Sequence, residues 1–289
     1  LDRAVGSWKS VVSARSAYAR VLARLASEPP DIDPMQLPAP ATGRLEVEGL
    51  TYEYEGRSEP VIKNVRFELA AGEVLGLVGP TAAGKSTLAR MLVGIIIPDA
   101  GHVRLDGVEV SQWHPEIIGP HLGYLPQGVE LFWGTVAENI ARLGKPEPAK
   151  VIEAAKLAGA HEMILRLPRG YDTEIGDGGA MLSGGQRQRI GLARAVYGHP
   201  KLVVLDEPDA NLDREGKEAL ANAIFALKGR GATVVIVTHR SGMLKVADKV
   251  LMLKRAALVP VERETEQQAS VDSRPAGARL AFVRGESDD

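Results

Sequence analysis

One octapeptide in the sequence has the residue spacing of a phosphate-binding loop. Gly79-Pro80-Thr81-Ala82-Ala83-Gly84-Lys85-Ser86 fits the pattern G-x-x-x-x-G-K-S/T and lies between an apolar run and a predicted helix. In such a loop the backbone amides and the helix N-terminus surround a phosphate, Lys85 balances phosphate charge, and the Ser86 hydroxyl ligates magnesium. The alternative is a glycine-rich turn that merely precedes a helix, and the strand and helix context disfavours it.

Two acids follow another apolar run, in LVVLDEP at residues 202–208. Asp206 is suited to hold magnesium through its water shell, and Glu207 is suited to polarise an attacking water. Acids at a helix N-terminus are common, which is the structural alternative. We favour the chemical interpretation because phosphoryl transfer requires an acid and a phosphate loop at the same edge of one sheet.

A third motif, LSGGQ, begins the segment LSGGQRQRIGLARAV. Ser183 can cap a helix, and Gly184 and Gly185 let a phosphate approach the backbone closely. Taken alone, Ser183-Gly184-Gly185-Gln186 is better explained as a plain capping turn, because Ser-Gly-Gly is common at helix starts. Its significance depends on its occurrence together with the other two motifs.

The elements that position these motifs are alternating strands and helices. The runs at 74–78, 202–205 and 233–237 are continuous and rich in β-branched residues, as in strands covered on both faces. Helices are predicted from Ser86 to Ile97 and from Glu215 to Lys228. This alternation predicts a parallel, doubly wound sheet whose ligand lies at the carboxyl ends of the strands.

Residues that could take part in binding or catalysis follow four predicted strands. The phosphate loop follows VLGLV, Pro126-Gln127 follows LGYL, Asp206-Glu207 follows LVVL, and His239 follows TVVIVT. Because the carboxyl ends of parallel strands lie at one edge, we expect these residues to form one site.

Composition excludes several other classes of function. The 289 residues contain 35 Lys plus Arg against 37 Asp plus Glu, a formal charge of −2, so we expect no nucleic-acid partner. Without cysteine there is no disulfide framework, thiolate catalysis or Cys-type zinc site. Apolar stretches such as Met91 to Ile97 are far shorter than the roughly 18 to 20 residues that span a bilayer.

The chain divides into four segments. Residues 1–27 are predicted to contain one amphipathic helix, and residues 28–43, with five prolines, a linker. A compact domain is expected over 44–258, followed by a polar tail over 259–289 that we expect to be disordered. Since the first residue is Leu1 and not Met, we expect the sequence to be part of a longer polypeptide.

Together the motifs resemble the nucleotide-binding domain of ABC transporters over residues 44–258. GPTAAGKST resembles the Walker A motif, LVVLDEP the Walker B motif and LSGGQ the signature. Gln127 matches the Q-loop, His239 the switch histidine and Asn211-Leu212-Asp213 the D-loop. Tyr54 fits the aromatic residue that stacks on adenine, and Tyr52 is a poorer candidate.

The resemblance implies an α/β P-loop NTPase fold. A RecA-like core with a parallel sheet would hold the phosphate loop, with an antiparallel β subdomain and an α-helical signature subdomain at about 128–185. Two copies would pack head to tail and bury ATP between the Walker A motif of one and Ser183, Gly184 and Gly185 of the other. One chain would therefore contain half of each of two different ATP sites.

The resemblance also assigns roles to residues. Glu207, His239 and Lys85 would be catalytic, and Ser86, Gln127 and Asp206 would hold Mg²⁺. ATP would be bound by Tyr54, Gly79, Pro80, Thr81, Ala82, Ala83, Gly84, Lys85, Ser86, Thr87, Gln127, Ser183, Gly184, Gly185, Gln186 and Asp213. Ala82 stands where most of the family has glycine, and because its Cβ restricts φ, we expect weaker or slower nucleotide binding.

Two segments resemble exporters in particular. TEIGDGGAMLSGGQ at 173–186 resembles the loop that senses the membrane domain, and LFWGTVAENI at 131–140 the segment that receives its coupling helix. The motif spelling is most similar to type I secretion ATPases, which implies export of a protein from the cytoplasmic face of the bacterial inner membrane. The partners would be a transmembrane domain of the same polypeptide, a membrane-fusion protein and an outer-membrane channel. The helix predicted at residues 7–27 resembles the cytoplasmic end of the last transmembrane helix in that family.

Other functions within the fold stay open. An importer ATPase usually begins close to its first strand, whereas 44 residues precede it here. Soluble ABC proteins of DNA repair or translation have a coiled-coil insertion or a second cassette, and neither occurs. An exporter of lipids, drugs or peptides is a further alternative. A regulatory domain without turnover is disfavoured by the intact Glu207, His239 and Lys85.

Overall fold

The structure is a computed structural model that describes residues 14–20, 22, 37–54, 56 and 59–260. Residues 14–20 are helical. The rest of the expected N-terminal helix, most of the expected linker and the expected tail from residue 261 lie outside the described residues. Within the described ranges no helix combines the length and hydropathy needed to cross a membrane.

The strands, in chain order, are β1 (Leu45–Tyr52), β2 (Ile62–Leu69), β3 (Val74–Val78), β4 (Ala100–Leu105), β5 (Val108–Glu109), β6 (Leu122–Leu125), β7 (Gly134–Thr135), β8 (Glu174–Ile175), β9 (Leu202–Asp206), β10 (Thr233–Val237), β11 (Lys249–Lys254) and β12 (Ala257–Pro260). The α-helices are α1 (Lys85–Leu92), α2 (Pro115–Ile118), α3 (Val136–Ile140), α4 (Pro148–Leu157), α5 (His161–Leu165), α6 (Gly184–Val196) and α7 (Arg214–Gly229). Short 3-10 turns occur at Val110–Gln112, Gly119–His121, Gly170–Asp172, Asp177–Gly179 and Ser241–Val246.

The central sheet has six strands in the order β12-β11-β3-β10-β9-β6. All its pairings are parallel except that of β12 with β11. The three predicted apolar strands form β3, β9 and β10, as expected. Along β10, Val234 and Ile236 join one hydrophobic cluster and Val235 and Val237 join the other. Burial on both faces explains why these strands are continuously apolar.

A second sheet lies beside the core, with the strand order β2-β1-β4-β5 and antiparallel pairing throughout. Leu45, Val47 and Leu50 of β1 are buried, and they belong to the hydrophobic cluster that also contains Leu88 and Leu92 of α1. This sheet is therefore joined to the face of the core that holds the phosphate-loop helix.

Helices α3 to α6 form a helical unit between β6 and β9. Helix α6 packs against α3, α4 and β6. Ile140, Ile164 and Ile190 are buried in the cluster on the opposite face of the central sheet from α1. Within this unit β7 pairs with β8. The two exporter-like segments of the sequence are therefore neighbours in space.

The predicted end of the helix that follows the phosphate loop was wrong. The sequence placed it at Ile97 before Pro98, but α1 ends at Leu92. Gly94 has a φ of 74°, so the chain leaves the helix at a left-handed glycine four residues before the proline. The second predicted helix, α7, extends one residue further at each end, and Asp213 caps it by accepting from the Gly216 N–H at 2.8 Å. Strand β12 ends at Pro260, two residues beyond the expected domain boundary.

Candidate functional site

The loop between β3 and α1 depends on two glycines. Gly79 has a φ of 151° and Gly84 a φ of 99°. A Cβ on Gly79 would lie 2.3 Å from the Leu253 carbonyl oxygen, and one on Gly84 would lie 2.7 Å from a Val61 methyl. Both positions therefore exclude any side chain. Ala82 is also left-handed, with a φ of 61°.

Lys85 begins α1, and its side chain folds back over the loop. The ammonium donates to the carbonyl oxygens of Gly79 and Pro80, each at 2.9 Å. Lys85 is buried. A positive charge is thus held against the backbone of the loop, at the N-terminus of a helix where anions bind favourably.

Asp206, at the end of β9, has the properties of a cation ligand. Its side chain is buried, and its Oδ1 has no hydrogen-bond partner in the described part of the chain. Burial raises the pKa of Asp206, and Glu207 adds to this increase, while the Ser86 hydrogen bond and the charge of Lys85 oppose it. An unpartnered carboxylate oxygen near a hydroxyl fits Mg²⁺, which prefers oxygen ligands.

The protein alone does not offer a complete metal cage. Among the described residues no group of three or more His, Asp or Glu side chains is arranged to hold a metal ion. Magnesium commonly binds through one or two side chains together with water and substrate phosphates. Ser86 and Asp206 fit that pattern, and Gln127 lies in the same cleft as Ser86.

Three strand ends meet at Glu207. Gln127, after β6, donates to Glu207 Oε2 at 3.2 Å, and His239, after β10, places Nδ1 3.4 Å from Oε1. The Glu207 N–H donates to the Val237 carbonyl oxygen at 2.9 Å, although its φ of 47° is unfavourable for a residue with a Cβ. The backbone of Glu207 is thus bonded to β10, and its carboxylate is contacted by Gln127 and His239.

Tyr54 is placed beside the phosphate-loop helix. Its hydroxyl lies 3.0 Å from Thr87 Oγ1. Tyr52 packs against the hydrophobic cluster and meets Tyr54 edge to face, with the ring centroids 5.0 Å apart. Tyr54 lines the cleft that contains Lys85 and Ser86, and Tyr52 does not. Stacking of adenine on Tyr54 stays a prediction.

Most of the predicted site lines one cleft of about 250 Å³, which we call the P-loop cleft. Its lining comprises Tyr54, Val61, Thr81, Ala82, Gly84, Lys85, Ser86, Thr87, Gln127 and Glu207. Pro80 and Ala83 line an adjacent hollow that also contains Val61 and Arg255. Val61 was not predicted, since an isolated valine before a strand has no distinguishing pattern.

The signature residues lie elsewhere in the same chain. Ser183 caps α6, its Oγ accepting from the Gln186 N–H at 3.2 Å while Gln186 Oε1 accepts from the Ser183 N–H at 2.8 Å. A hollow of about 480 Å³, the signature hollow, is lined by Ser183, Gly185, Gln186, Asp213 and others. No residue lines both this hollow and the P-loop cleft. Gly184 and Gly185 face Asn211 closely, and a Cβ on Gly185 would lie 3.0 Å from its carbonyl oxygen.

Two contacts near the site had no signal in the sequence. The buried Asp209 carboxylate lies 3.4 Å from Arg240 Nε, and so connects the segment after Glu207 to the residue after His239. The buried Gln188 of α6 donates to the Pro208 carbonyl oxygen at 3.0 Å. Both contacts join residues that are distant in sequence.

A family model described as ABC transporter matches residues 62–210. The chain belongs to the ABC transporter family. The expected fold is confirmed: a P-loop NTPase core with a parallel sheet, an antiparallel β subdomain and an α-helical subdomain. Within the α-helical subdomain, α6 begins at the signature.

Relatives among ABC proteins include exporters of different cargo. The chain is 47% identical over 259 residues to the type I secretion system ATP-binding protein PrsD of Rhizobium meliloti, covering 89% of this chain and 44% of PrsD. It is 35% identical over 265 residues to the ATP-dependent lipid A-core flippase of Chromohalobacter salexigens, covering 91% of this chain and 45% of the flippase.

A solved structure of an ABC exporter has the same fold. It is a bacterial Atm1-family ABC exporter with ATP bound, at a TM-score of 0.73 and 28% identity, covering 87% of this chain and 45% of that chain. The ABC domain described here therefore spans less than half the length of each of these three proteins.

Proposed function

We propose that this chain is the ATP-hydrolysing motor domain of an ABC exporter. The observation that carries the proposal is the position of Glu207, held by Gln127 and His239 in the cleft that also contains Lys85 and Ser86. A carboxylate fixed in this way is suited to orient the attacking water and to accept its proton.

The other residues divide the remaining tasks. Lys85 and the loop amides stabilise the charge of the phosphates, and Tyr54 receives the adenine. Ser86, Asp206 and Gln127 would hold Mg²⁺, which would supply neutralisation of charge on the phosphates. His239 keeps the Glu207 carboxylate in position, because its ring nitrogen lies against Oε1.

The second half of each site comes from another copy of the chain. Since the signature hollow and the P-loop cleft have no lining residue in common, we expect Ser183 and Gly185 to complete the cleft of a second copy and not that of their own chain. A head-to-tail dimer would bring the N-terminus of α6, with its favourable dipole, to the partner's γ-phosphate. Asp213 lines the same hollow and would lie at this interface.

The exporter function is proposed from the exposed face around residues 131–140, which we call the docking segment. Phe132 is 53% exposed, Trp133 79% and Met181 66%. Aromatic side chains are normally among the more buried residues, so such exposure is typical of a surface that meets a partner. The proposed partner is a transmembrane domain of the same polypeptide, which places the chain at the cytoplasmic face of the bacterial inner membrane.

Type I secretion of a protein is the cargo class we favour, with a membrane-fusion protein and an outer-membrane channel as further partners. It is supported by the higher identity to PrsD, 47%, than to the lipid A-core flippase, 35%. Lipid export is the second candidate, favoured by the flippase's coverage of 91% of this chain.

The first experiment tests the dimer and the role of Glu207. Glu207→Gln keeps the size of the side chain but removes the base, so turnover should fall by about 100-fold or more. Because ATP is then not consumed, a dimer should accumulate in Mg-ATP and dissociate when ATP is removed. Phosphate release and light scattering with and without ATP measure the two effects.

The control is the exposed Glu116→Gln, on α2 and away from the cleft, which should match the wild type in both assays. Wild-type turnover in Glu207→Gln, or a chain that stays monomeric at all ATP concentrations, would reject the proposed function.

A further inference from the structure

Arg142 is a partly buried arginine, and its guanidinium donates to four backbone carbonyl oxygens. Nε donates to the Arg194 carbonyl oxygen at 3.1 Å, and Nη2 donates to those of Ala195 and Tyr197, each at 3.2 Å. Nη1 donates to the Gly119 carbonyl oxygen. The first three carbonyls lie at the C-terminal end of α6, so this guanidinium caps the helix whose N-terminus is the signature.

This arrangement is costly, which argues that it has a use beyond packing. Burial lowers the pKa of Arg142 to about 10, with the nearby Arg194 charge contributing. Arg142 itself has a φ of 59° and Leu143 a φ of 62°, both unfavourable for residues with a Cβ. The C-terminal end of a helix is negative, so it can offset part of the cost of a buried cation.

A second arginine makes the connection from the opposite direction. Arg194, in the last turn of α6, donates to the Glu130 carbonyl oxygen at 3.0 Å. Its guanidinium carbon lies 5.4 Å from the centroid of the Phe132 ring, within cation–π range. The end of α6 is therefore attached to both ends of the docking segment, by Arg194 at its start and by Arg142 just after it.

The docking segment is internally rigid. Thr135 and Glu138 form a reciprocal capping box at the start of α3. The buried Asn139 accepts from the Phe132 N–H at 2.8 Å and donates to the carbonyl oxygens of Phe132 and Thr135 at 2.9 and 3.0 Å. Because these hydrogen bonds join Phe132 to α3, we expect a displacement of Phe132 or Trp133 to move the whole segment.

The same rigidity extends to the signature. Helix α6 has 13 residues, so it spans about 20 Å from Arg194 and its neighbours to Ser183. Because Ser183 is fixed by its own capping box, the orientation of α6 decides where the signature points.

We propose that Arg142 is a positioning residue that locks α6 to the docking segment, so that the signature is presented to a partner's nucleotide only in one orientation. The inference rests on the proposed function. It predicts that Arg142 is needed for ATP-driven dimer closure and not for nucleotide binding to a single chain, since Arg142 does not line the P-loop cleft.

The test uses the full chain with Glu207→Gln as the parent. Arg142→Met removes the donors, and Arg142→Lys keeps the charge with three donors. The control is Arg66→Met, which removes an exposed arginine from β2. For each variant a fluorescent ATP analogue gives the dissociation constant of the monomer, light scattering gives the ATP-dependent dimerisation constant, and thermal melting reports on folding.

We expect Arg142→Met to bind the analogue within about twofold of the parent and to dimerise at least tenfold more weakly. Arg142→Lys should recover most of the dimerisation, and Arg66→Met should match the parent. Unchanged dimerisation in Arg142→Met would overturn the inference. So would parallel losses of nucleotide binding and dimerisation in both Arg142→Met and Arg142→Lys, since these indicate a general folding role. A parent that does not dimerise with ATP would instead reject the proposed function.

Discussion

Ala82 offers a quantitative test of how the phosphate loop is formed. Its φ of 61° is left-handed, which costs a residue with a Cβ about 1 to 2 kcal/mol relative to the right-handed region. Ala82→Gly removes this cost but makes the unfolded chain more flexible, which costs about 0.4 to 1 kcal/mol. Since the Ala82 side chain is exposed, little packing is lost. The free energy of unfolding should rise by about 0.5 to 1 kcal/mol.

Ala83 provides the matched control, one residue further along the loop. It is not among the described residues with positive φ, and it packs partly against the hydrophobic cluster. Ala83→Gly relieves no strain, adds the same unfolded-state entropy and loses packing, so it should destabilise by about 1 kcal/mol. Urea unfolding of the two variants should therefore shift the midpoint in opposite directions. Equal destabilisation by both would refute the reasoning.

The same variant decides whether Ala82 affects nucleotide binding. Glycine adopts the left-handed conformation that Ala82 has, so Ala82→Gly leaves the same backbone geometry available to a phosphate. We therefore expect Ala82→Gly to change the dissociation constant of an ATP analogue by less than about twofold. The sequence-based expectation, that Ala82 weakens binding, requires instead that the glycine variant bind clearly more tightly. A gain of fivefold or more would support that expectation.

Two further predictions concern stability. Burial raises the pKa of Asp106, but hydrogen bonds from Thr42, Gly43 and Arg44 outweigh it and lower the pKa below 3.8. The stabilisation that the Asp106 carboxylate gives the folded state should thus be complete above about pH 5 and be lost as the pH falls through the lowered pKa. The free energies of urea unfolding of wild type and Asp106→Asn should therefore converge in acid and differ at neutral pH. A difference that stays constant with pH would contradict this. Gly123→Ala places a Cβ 2.2 Å from the Ala195 carbonyl oxygen and should lower the free energy of unfolding by about 1 to 3 kcal/mol. Gly229→Ala, whose Cβ would meet nothing within 4 Å, should be neutral or slightly stabilising. Equal unfolding midpoints of the two variants would be inconsistent with the close contact at Gly123.

The central strands were predictable because their signal is local. The apolar runs that form β3, β9 and β10 are continuous, and burial on both faces requires no more than that pattern. The capping role of Ser183 was predictable for the same reason, since Gln186 three residues later completes the capping box within one turn. The end of α1 was not, because Gly94 and Pro98 both stop helices and the sequence does not say which acts first.

The sequence by itself determined which polar residues follow which strands, and it predicted which of them bind ATP. Only the tertiary structure decided that Gln127 and His239 both contact Glu207 and that Arg142 caps α6. Periodicity and capping act over a few residues, whereas these contacts join residues tens of positions apart. They are set by how the layers pack, and that information is absent from any short stretch of sequence.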